Sequence, residues 1–148
     1  MPPNLAPLID IIQIRPMRPE TDFNYIINSW LKTYKYSGPA VRRMRDKEYY
    51  EFYEPMVKAM IKRSDVYVAS LREDPDVIVG YLAIERKDHS DIIHFTLIKD
   101  RWQKIGVATY LIKAAEPKLS TYFTHWTAPI DSLINKIPFT YHPFLIGA

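Results

Sequence analysis

A short segment about two-thirds of the way along the sequence has the residue types and spacing of an anion-binding turn. In residues 103–108, QKIGVA, small residues stand at Gly106 and Ala108. Small residues let a ligand approach the backbone closely. Where such a turn opens a helix, the first N–H groups have no partner inside the helix, and the helix dipole adds partial positive charge. The segment therefore predicts a site for an anion.

The elements that must position this turn are a strand before it and a helix after it. Residues 92–98, IIHFTLI, are rich in strand-forming side chains, and the charged residues 99–101 end the run. Beyond the turn, apolar residues recur at the spacing of one buried helix face. These are Ile105, Ala108, Leu111, Ile112 and Ala115. The sequence thus predicts a strand, a tight turn and a helix in succession.

The rest of the chain predicts further strands and helices. Strands are predicted over 9–15, 66–71, 77–85, 92–99, 121–127 and 139–141, and helices over 23–35, 47–63, 105–115 and 129–136. Thr21 or Asp22 is expected to cap the first helix and Asp46 the second. The order is β-α-α-β-β-β-α-β-α-β, and 148 residues fit a single domain, 1–148.

Two residues predict local irregularities. Pro55 lies inside the second helical pattern and is expected to kink or split that helix. Gly80 lies inside the third strand, where it indicates a bulge or a close approach of two backbones.

The turn and the element order together resemble the GNAT N-acetyltransferase superfamily. Gln103-x-x-Gly106-x-Ala108, between a strand and a helix, is similar to that family's Q/R-x-x-G-x-G/A signature. The element order extends the resemblance to roughly residues 12–142, and the short, proline-punctuated chain is similar to bacteriophage members. The resemblance implies an α/β (α+β) fold with a twisted, mixed, mostly antiparallel sheet, about four flanking helices and a truncated C-terminal hairpin.

The resemblance also implies acetyl-CoA as the cofactor. In the family, backbone amides of the turn hold the pyrophosphate, and the main chain of the preceding strand pairs with the pantetheine arm. The positions that match the turn and helix start are Gln103, Lys104, Ile105, Gly106, Val107, Ala108 and Thr109. The positions that match the strand end are Leu97, Ile98 and Lys99.

Two residues are candidates for the base that acetyl transfer to an amine needs. The family often places it on the central strand or its neighbour, which here carry His94 and Glu85. The unperturbed pKa of histidine suits a base at neutral pH. Alternatively, His94 is a hydrogen-bonded strand histidine, and Glu85 is a solvated charge beside Arg86 and Lys87.

The general acid is where the sequence departs from the family. The usual Tyr-x-x-x-Gly-Phe pattern, aligned on Pro138 and Phe139, puts Ile134 at the tyrosine position. Tyr141 and Ser132 are the candidates to replace the missing phenol, although each could be structural. Few residues follow Pro138 for a closing hairpin, so an edge near 139–146 could favour a homodimer.

Composition excludes several kinds of chemistry. The sequence contains no cysteine, which excludes disulfides, thiolate metal sites and a cysteine nucleophile. The four histidines show no metal-ligand spacing, so we expect no metal. The longest apolar runs are too short to span a membrane, and the N-terminus lacks the basic region of a signal peptide. We therefore expect a cytoplasmic protein without a membrane partner.

Three functions remain open at the level of the sequence. The first is direct transfer of an acetyl group from acetyl-CoA to an amine of a protein or small molecule. The second is action on nucleic acid, or binding to it, through the basic residues Arg42, Arg43 and Arg45, which could equally form a solvated run of charge. The third is a non-catalytic interaction protein or inhibitor on the same fold. The net charge of +3 suits an anionic cofactor or substrate.

Overall fold

A six-stranded sheet forms the centre of the protein in the computed structural model, which describes residues 5–147. The strands lie side by side in chain order. They are β1 Ile12–Pro16, β2 Asp65–Leu71, β3 Ile78–Arg86, β4 Asp91–Ile98, β5 Thr121–Phe123 and β6 Thr140–Tyr141. β1 to β4 pair antiparallel, whereas β5 is parallel to β4 and β6 is parallel to β5. The predicted mixed, mostly antiparallel sheet is confirmed.

Helices cover both faces of this sheet. Within residues 5–147 they are α1 Leu5–Ile11, α2 Pro19–Ser37, α3 Asp46–Arg63, α4 Val107–Ala115 and α5 Ala128–Leu133, with single 3₁₀ turns at Asp100–Trp102 and Pro143–Gly147. α2 and α3 pack on one face in a core rich in aromatic rings. α1, α4 and α5 pack on the other face in a core that is mostly aliphatic. Each helix buries one apolar stripe against the face of the sheet on which it packs, as amphipathic helices require.

The N-terminal prediction was wrong in part, because residues 9–11 belong to a helix. The alternation of Ile9 and Ile11 with polar residues resembles a strand, yet both side chains are exposed, at 42% and 51%. The side chains that are buried are Leu8 and Ile12, four residues apart, which is a helical spacing. Strand pairing begins only at Ile12, opposite Leu71.

The two long helices also differ from their predicted forms. α2 begins at Pro19, which suits the first turn of a helix, so Thr21 and Asp22 are not its cap. Instead the Asp22 carboxylate accepts the N–H of Arg18 at 2.7 Å and pairs with the buried Arg15 guanidinium at 2.6 Å. α3 begins at Asp46 and continues unbroken through Pro55. Pro55 is exposed, so water can reach the carbonyl that loses its helical partner.

Two irregularities shape the centre of the sheet. Ala69 pairs with Gly80 and Ser70 with Ile78, so Val79 is an extra residue in β3. A Cβ at Gly80 would lie 2.7 Å from the Leu97 carbonyl oxygen, which confirms both the bulge and the close backbone approach. A second bulge lies in β4, where Phe95 pairs with Ala83 and Ile93 with Ile84, leaving His94 extra.

The last part of the sheet is shorter than predicted. β5 ends at Phe123 rather than Thr127, because only Asp91 to Ile93 of β4 pair with it. α5 is likewise shorter than the predicted 129–136. β6 is the last strand within residues 5–147, and the following 3₁₀ turn returns to α3, where Arg63 Nη2 donates to the Ile146 carbonyl at 2.8 Å. A single short strand therefore stands where a closing hairpin would be.

Candidate functional site

A cavity opens where β4 and β5 separate. The two strands pair as far as Ile93 and Phe123 and then diverge. A cavity of about 370 Å³ is lined by α2, by the end of β4 with the turn that follows it, and by the start of α5. The cavity thus lies between the end of β4 and the segment that follows β5, where backbone groups are no longer used by the sheet.

The turn after β4 has a geometry that exposes N–H groups. Gly106 has a φ of 103°, a left-handed conformation that favours glycine, and α4 begins at the next residue. The first bond of the helix runs from the Tyr110 N–H to the Gly106 carbonyl. Within the described chain, the N–H groups of residues 104–106 donate to no backbone carbonyl. Consecutive N–H groups are therefore available to an anion.

The Gln103 side chain ties this turn to the cavity. Its amide Nε2 donates to the Ile98 carbonyl at 3.1 Å and to Asp100 Oδ1 at 3.3 Å. Gln103 also lines the cavity, together with Lys99 and Asp100. Ile105 was predicted on the buried face of the helix, but it lies in the turn before α4 and is 42% exposed. The turn thus begins at the edge of the cavity.

Two buried residues with hydroxyl groups line this cavity. Thr96 of β4 and Thr127, next to α5, both line the cavity and are 1% and 7% exposed. Their Oγ1 atoms have no hydrogen-bond partner in the described chain. Burying an unpartnered hydroxyl is costly, so these atoms suit a ligand with polar groups along its length.

A carboxylate–imidazole pair lies at the point where the strands diverge. The bulge in β4 brings His94 Nε2 to 2.8 Å from Glu85 Oε1. Glu85 also accepts hydrogen bonds from Arg63 Nε at 3.0 Å and from Lys87 Nζ at 2.8 Å. Burial alone would raise the pKa of Glu85, but hydrogen bonds from Lys87, His94 and Arg63 outweigh it and lower the pKa to about 2.

The imidazole of this pair is neutral at pH 7. Burial lowers the pKa of His94 below its usual value of 6.5, and Glu85 opposes that shift only in part. A neutral His94 beside an ionised Glu85 carries its hydrogen on Nε2 and leaves Nδ1 able to accept a proton. The pair therefore has the protonation state of a general base.

The pair extends into residues that sequence reasoning missed. Thr124 Oγ1 lies 3.1 Å from His94 Nδ1 and 2.8 Å from His125 Nδ1, and His125 Nε2 bonds the Tyr53 hydroxyl. Burial lowers the pKa of His125 to about 3, so this ring is neutral as well. The sequence did not predict these residues because they meet through the parallel register of β4 and β5. That register sets Asp91 beside Thr121 and so brings His94 next to Thr124.

The comparison with protein families assigns the chain to a known family. Residues 31–136 match the family model of the acetyltransferase (GNAT) domain. The chain belongs to the GNAT acetyltransferase family. This GNAT protein is accordingly an N-acetyltransferase, and its cofactor is acetyl-CoA. No curated protein sequence matches it significantly.

Solved GNAT structures share the fold at low sequence identity. A proposed acetyl transferase from Pyrococcus furiosus is similar with a TM-score of 0.62 and 14% identity, over 84% of this chain and 90% of that one. The PaiA N-acetyltransferase from Thermoplasma acidophilum, in complex with coenzyme A, is similar with a TM-score of 0.50 and 17% identity, over 71% of this chain and 69% of that one. An aminoglycoside acetyltransferase from an uncultured soil metagenomic sample, in complex with sisomicin, is similar with a TM-score of 0.51 and 15% identity, over 86% of each chain.

The site fits acetyl-CoA. That molecule joins an anionic pyrophosphate to a long arm with amide groups. The free N–H groups of the turn suit the anionic end, and the unpartnered hydroxyls of Thr96 and Thr127 suit polar groups of the arm. Within residues 5–147 no cluster of three or more metal-ligating side chains occurs, and no helix there has the length and apolar character needed to cross a membrane.

The remaining predicted site residues lie outside the Glu85–His94 pair. Ser132 is exposed in α5, and its hydroxyl donates to the Pro129 carbonyl at 2.8 Å, so the structure does not bring it to the pair. Tyr141 of β6 is 45% exposed, and its ring packs against Phe123 in a tilted arrangement and against Trp126 edge-on. It lies close enough to Tyr53 to contribute to the raised pKa of that phenol, although burial is the largest cause.

The basic residues lie apart from the cavity. Arg42, Arg43 and Arg45 are exposed in the connection between α2 and α3. Within the described part of the chain, none of the three lines the cavity between β4 and β5.

Proposed function

We propose that this GNAT protein transfers an acetyl group directly to an amine of a small molecule or protein, with His94 and Glu85 accepting the proton that the amine loses. The observation that supports this most strongly is the Glu85–His94 hydrogen bond of 2.8 Å at the divergence of β4 and β5. Acyl transfer to an ammonium requires removal of a proton before the nitrogen can attack. A neutral imidazole oriented by an ionised carboxylate is suited to that step.

The chain's own groups divide into a binding part and a chemical part. The N–H groups of residues 104–109 bind the pyrophosphate, and residues 97–99 offer main-chain groups to the pantetheine arm. When bound, acetyl-CoA supplies an acetyl group activated as a thioester. Thr96 and Thr127 orient the arm through their hydroxyls, which have no partner in the described chain.

Direct transfer follows from the residues available. The sequence has no cysteine that could carry the acetyl group between two half-reactions. Ser132 is exposed and bonded within its own helix, remote from the buried pair. The acceptor amine therefore reacts in a ternary complex, and His94 takes its proton on Nδ1.

Turnover with a panel of amines tests the proposal. Release of free coenzyme A is followed with n-butylamine, spermidine, a lysine-containing peptide and an aminoglycoside as acceptors, while calorimetry measures acetyl-CoA affinity. His94→Asn is expected to lower kcat by about 100-fold or more with the acetyl-CoA Kd unchanged, because it removes a general base. His142→Asn, at an exposed position, is the matched control. A His94→Asn variant that keeps the kcat of the unmodified protein would show that the base lies elsewhere.

A further inference from the structure

A continuous chain of side-chain hydrogen bonds crosses the interior from β3 to α3. It runs from Glu85 through His94, Thr124 and His125 to Tyr53. All five side chains are buried, and the two imidazoles are 0% and 2% exposed. The chain begins at the proposed base and passes between the diverging strands into the face covered by α2 and α3.

One arrangement of hydrogens makes every link of this chain a hydrogen bond. The ionised Glu85 accepts, so His94 carries hydrogen on Nε2, and its Nδ1 can accept the Thr124 hydroxyl hydrogen at 3.1 Å. The Thr124 oxygen then accepts from His125 Nδ1–H at 2.8 Å. His125 Nε2 is left as an acceptor, and the Tyr53 hydroxyl donates to it. Every hydrogen therefore points from Tyr53 towards Glu85.

Aromatic rings enclose the middle of the chain, where the His94 carbonyl is a second acceptor for the Thr124 hydroxyl at 3.2 Å. The Trp30 and Phe95 rings stand edge-on to His125 at centroid distances of 5.6 and 5.5 Å, and both are almost fully buried. At the Glu85 end the nearby charged groups are Arg63 of α3 and Lys87, which follows β3. The two imidazoles in the middle of the chain are thus shielded from water.

At its Tyr53 end, the hydrogen-bonded chain is connected to the surface by other tyrosine rings. Tyr34 of α2 is half-buried, and its ring stacks on Tyr53 at a centroid distance of 4.8 Å. Tyr49 of α3 stacks on the other side at 5.5 Å, and Tyr141 of β6 is close enough to act on Tyr34 and Tyr53 electrostatically. Tyr141 is 45% exposed, so this group of phenols reaches the surface of the molecule.

We propose that Tyr53, His125 and Thr124 relay the proton of the acceptor amine to His94. This inference rests on the proposed function and names further residues for it. As the amine proton reaches the Tyr53 oxygen, the Tyr53 proton moves to His125 Nε2, the His125 Nδ1 proton to Thr124 Oγ1, and the Thr124 proton to His94 Nδ1. Each of the three intermediate residues loses one proton and gains one.

The product of the relay is a His94 imidazolium paired with the Glu85 carboxylate at 2.8 Å. Loss of one proton from His94 to water, past the partly exposed Lys87, completes the transfer of a single proton from amine to solvent. Electrostatic pairing with Glu85 stabilises the charged imidazole while it lasts.

Two substitutions interrupt the chain at separate places. Tyr53→Phe removes its first hydroxyl, and Thr124→Val removes the link between the two imidazoles with nearly the same shape. Both are expected to lower kcat by about 10- to 100-fold with an unchanged acetyl-CoA Kd, since proton transfer in the transition state contributes roughly 10²–10⁴-fold. Thr124→Ser restores the hydroxyl and is expected to recover kcat. Tyr49→Phe is the matched control, because the Tyr49 phenol donates to the Leu31 carbonyl outside the chain.

A pair of acceptors separates a relay from a merely structural chain. Ethylamine is an ammonium ion at neutral pH, whereas trifluoroethylamine is already neutral and has no proton to hand over before attack. The relay predicts that Tyr53→Phe and Thr124→Val impair transfer to ethylamine and much less to trifluoroethylamine, and that raising the pH reduces the ethylamine defect. Equal losses with both amines, or no recovery in Thr124→Ser, would overturn the relay.

The result also distinguishes this inference from the proposed function. If His94→Asn loses activity while Tyr53→Phe and Thr124→Val keep it, the relay is wrong and His94 remains the base. If His94→Asn keeps full activity, both are wrong.

Discussion

The two faces of the sheet are packed with different chemistry. The face under α1, α4 and α5 is lined mainly by Ile, Leu, Val and Ala. The face under α2 and α3 contains Trp30, Phe95 and three buried tyrosines, Tyr49, Tyr53 and Tyr81. Buried phenols need partners, and each of these has one. Tyr49 donates to the Leu31 carbonyl, Tyr81 to the Ile26 carbonyl, and Tyr53 bonds His125.

In the proposed function, this difference separates cofactor binding from proton transfer. The aliphatic face supports α4, whose first turn carries the exposed N–H groups, so it positions backbone atoms. The aromatic face holds side chains that can donate and accept protons inside a dry core. Substitutions on the first face should therefore change stability and cofactor affinity, whereas those on the second should change kcat and the response to pH.

The largest effect is expected from the aliphatic core beneath α4. Leu111 is 0% exposed, and Leu111→Ala is expected to lower the free energy of unfolding by about 2–5 kcal/mol, because a cavity replaces its side chain. Chemical denaturation measures the change. Lys113→Ala, at an exposed position of the same helix, is the control and is expected to stay within about 0.5 kcal/mol. If Leu111→Ala lowered the free energy of unfolding no more than the control does, the aliphatic core would not be what holds α4 in place.

The next effect is expected in the turn that this face supports. Gly106→Trp places a large side chain at a left-handed backbone position beside the free N–H groups, so acetyl-CoA affinity should fall at least about 100-fold, or roughly 2.7 kcal/mol. Isothermal calorimetry measures it. Gly147→Trp is the matched control, since a Cβ there meets nothing within 4 Å. Unchanged affinity in Gly106→Trp would place the pyrophosphate elsewhere.

The smallest effect concerns the response of the aromatic face to acid. The pKa of His125 is lowered from 6.5 to about 3, so between about pH 6.5 and pH 3 the unfolded chain binds a proton that the folded protein does not. Stability should fall as the pH decreases, by about 1.4 kcal/mol per pH unit for this residue. Glu85, with a pKa lowered to about 2, adds its own loss only below its usual value of 4.5.

A substitution isolates the contribution of the histidine. His125→Gln is expected to reduce the slope of unfolding free energy against pH by roughly 1.4 kcal/mol per unit between about pH 6 and pH 4.5. His142→Gln is the exposed control. Denaturation curves across that range give both slopes, and identical slopes in His125→Gln and the unmodified protein would mean that His125 is not buried as a neutral ring.

Features with local causes could be predicted from the sequence. The turn at Gln103–Ala108 and helix α4 follow from a glycine and an apolar period within a few residues, and the β2–β3 hairpin follows from alternation around a proline-containing turn. The order of elements and the family signature then predicted the GNAT fold and its cofactor, which the family match confirms.

Features with non-local causes could not be predicted. The β4 bulge that turns His94 towards Glu85 exists only because β3 and β4 pair on both sides of it. Thr124, His125 and Tyr53 come together through a parallel register and the packing of α3, which no short segment encodes. The helix at Leu5–Ile11 was missed because Ile9 and Ile11 alternate as in a strand, while burial of Leu8 depends on the distant α4 core.

Gly80 shows how a residue can control a ligand that it does not contact. Its missing side chain lets β3 lie against the end of β4, where an added methyl group would sit 2.7 Å from both the Leu97 carbonyl and Ile98 Cδ1. Leu97 and Ile98 line the cavity with the opposite edge of the same strand. The width of this cavity is therefore set in part by β3, and alanine at position 80 would narrow the cavity by displacing the end of β4.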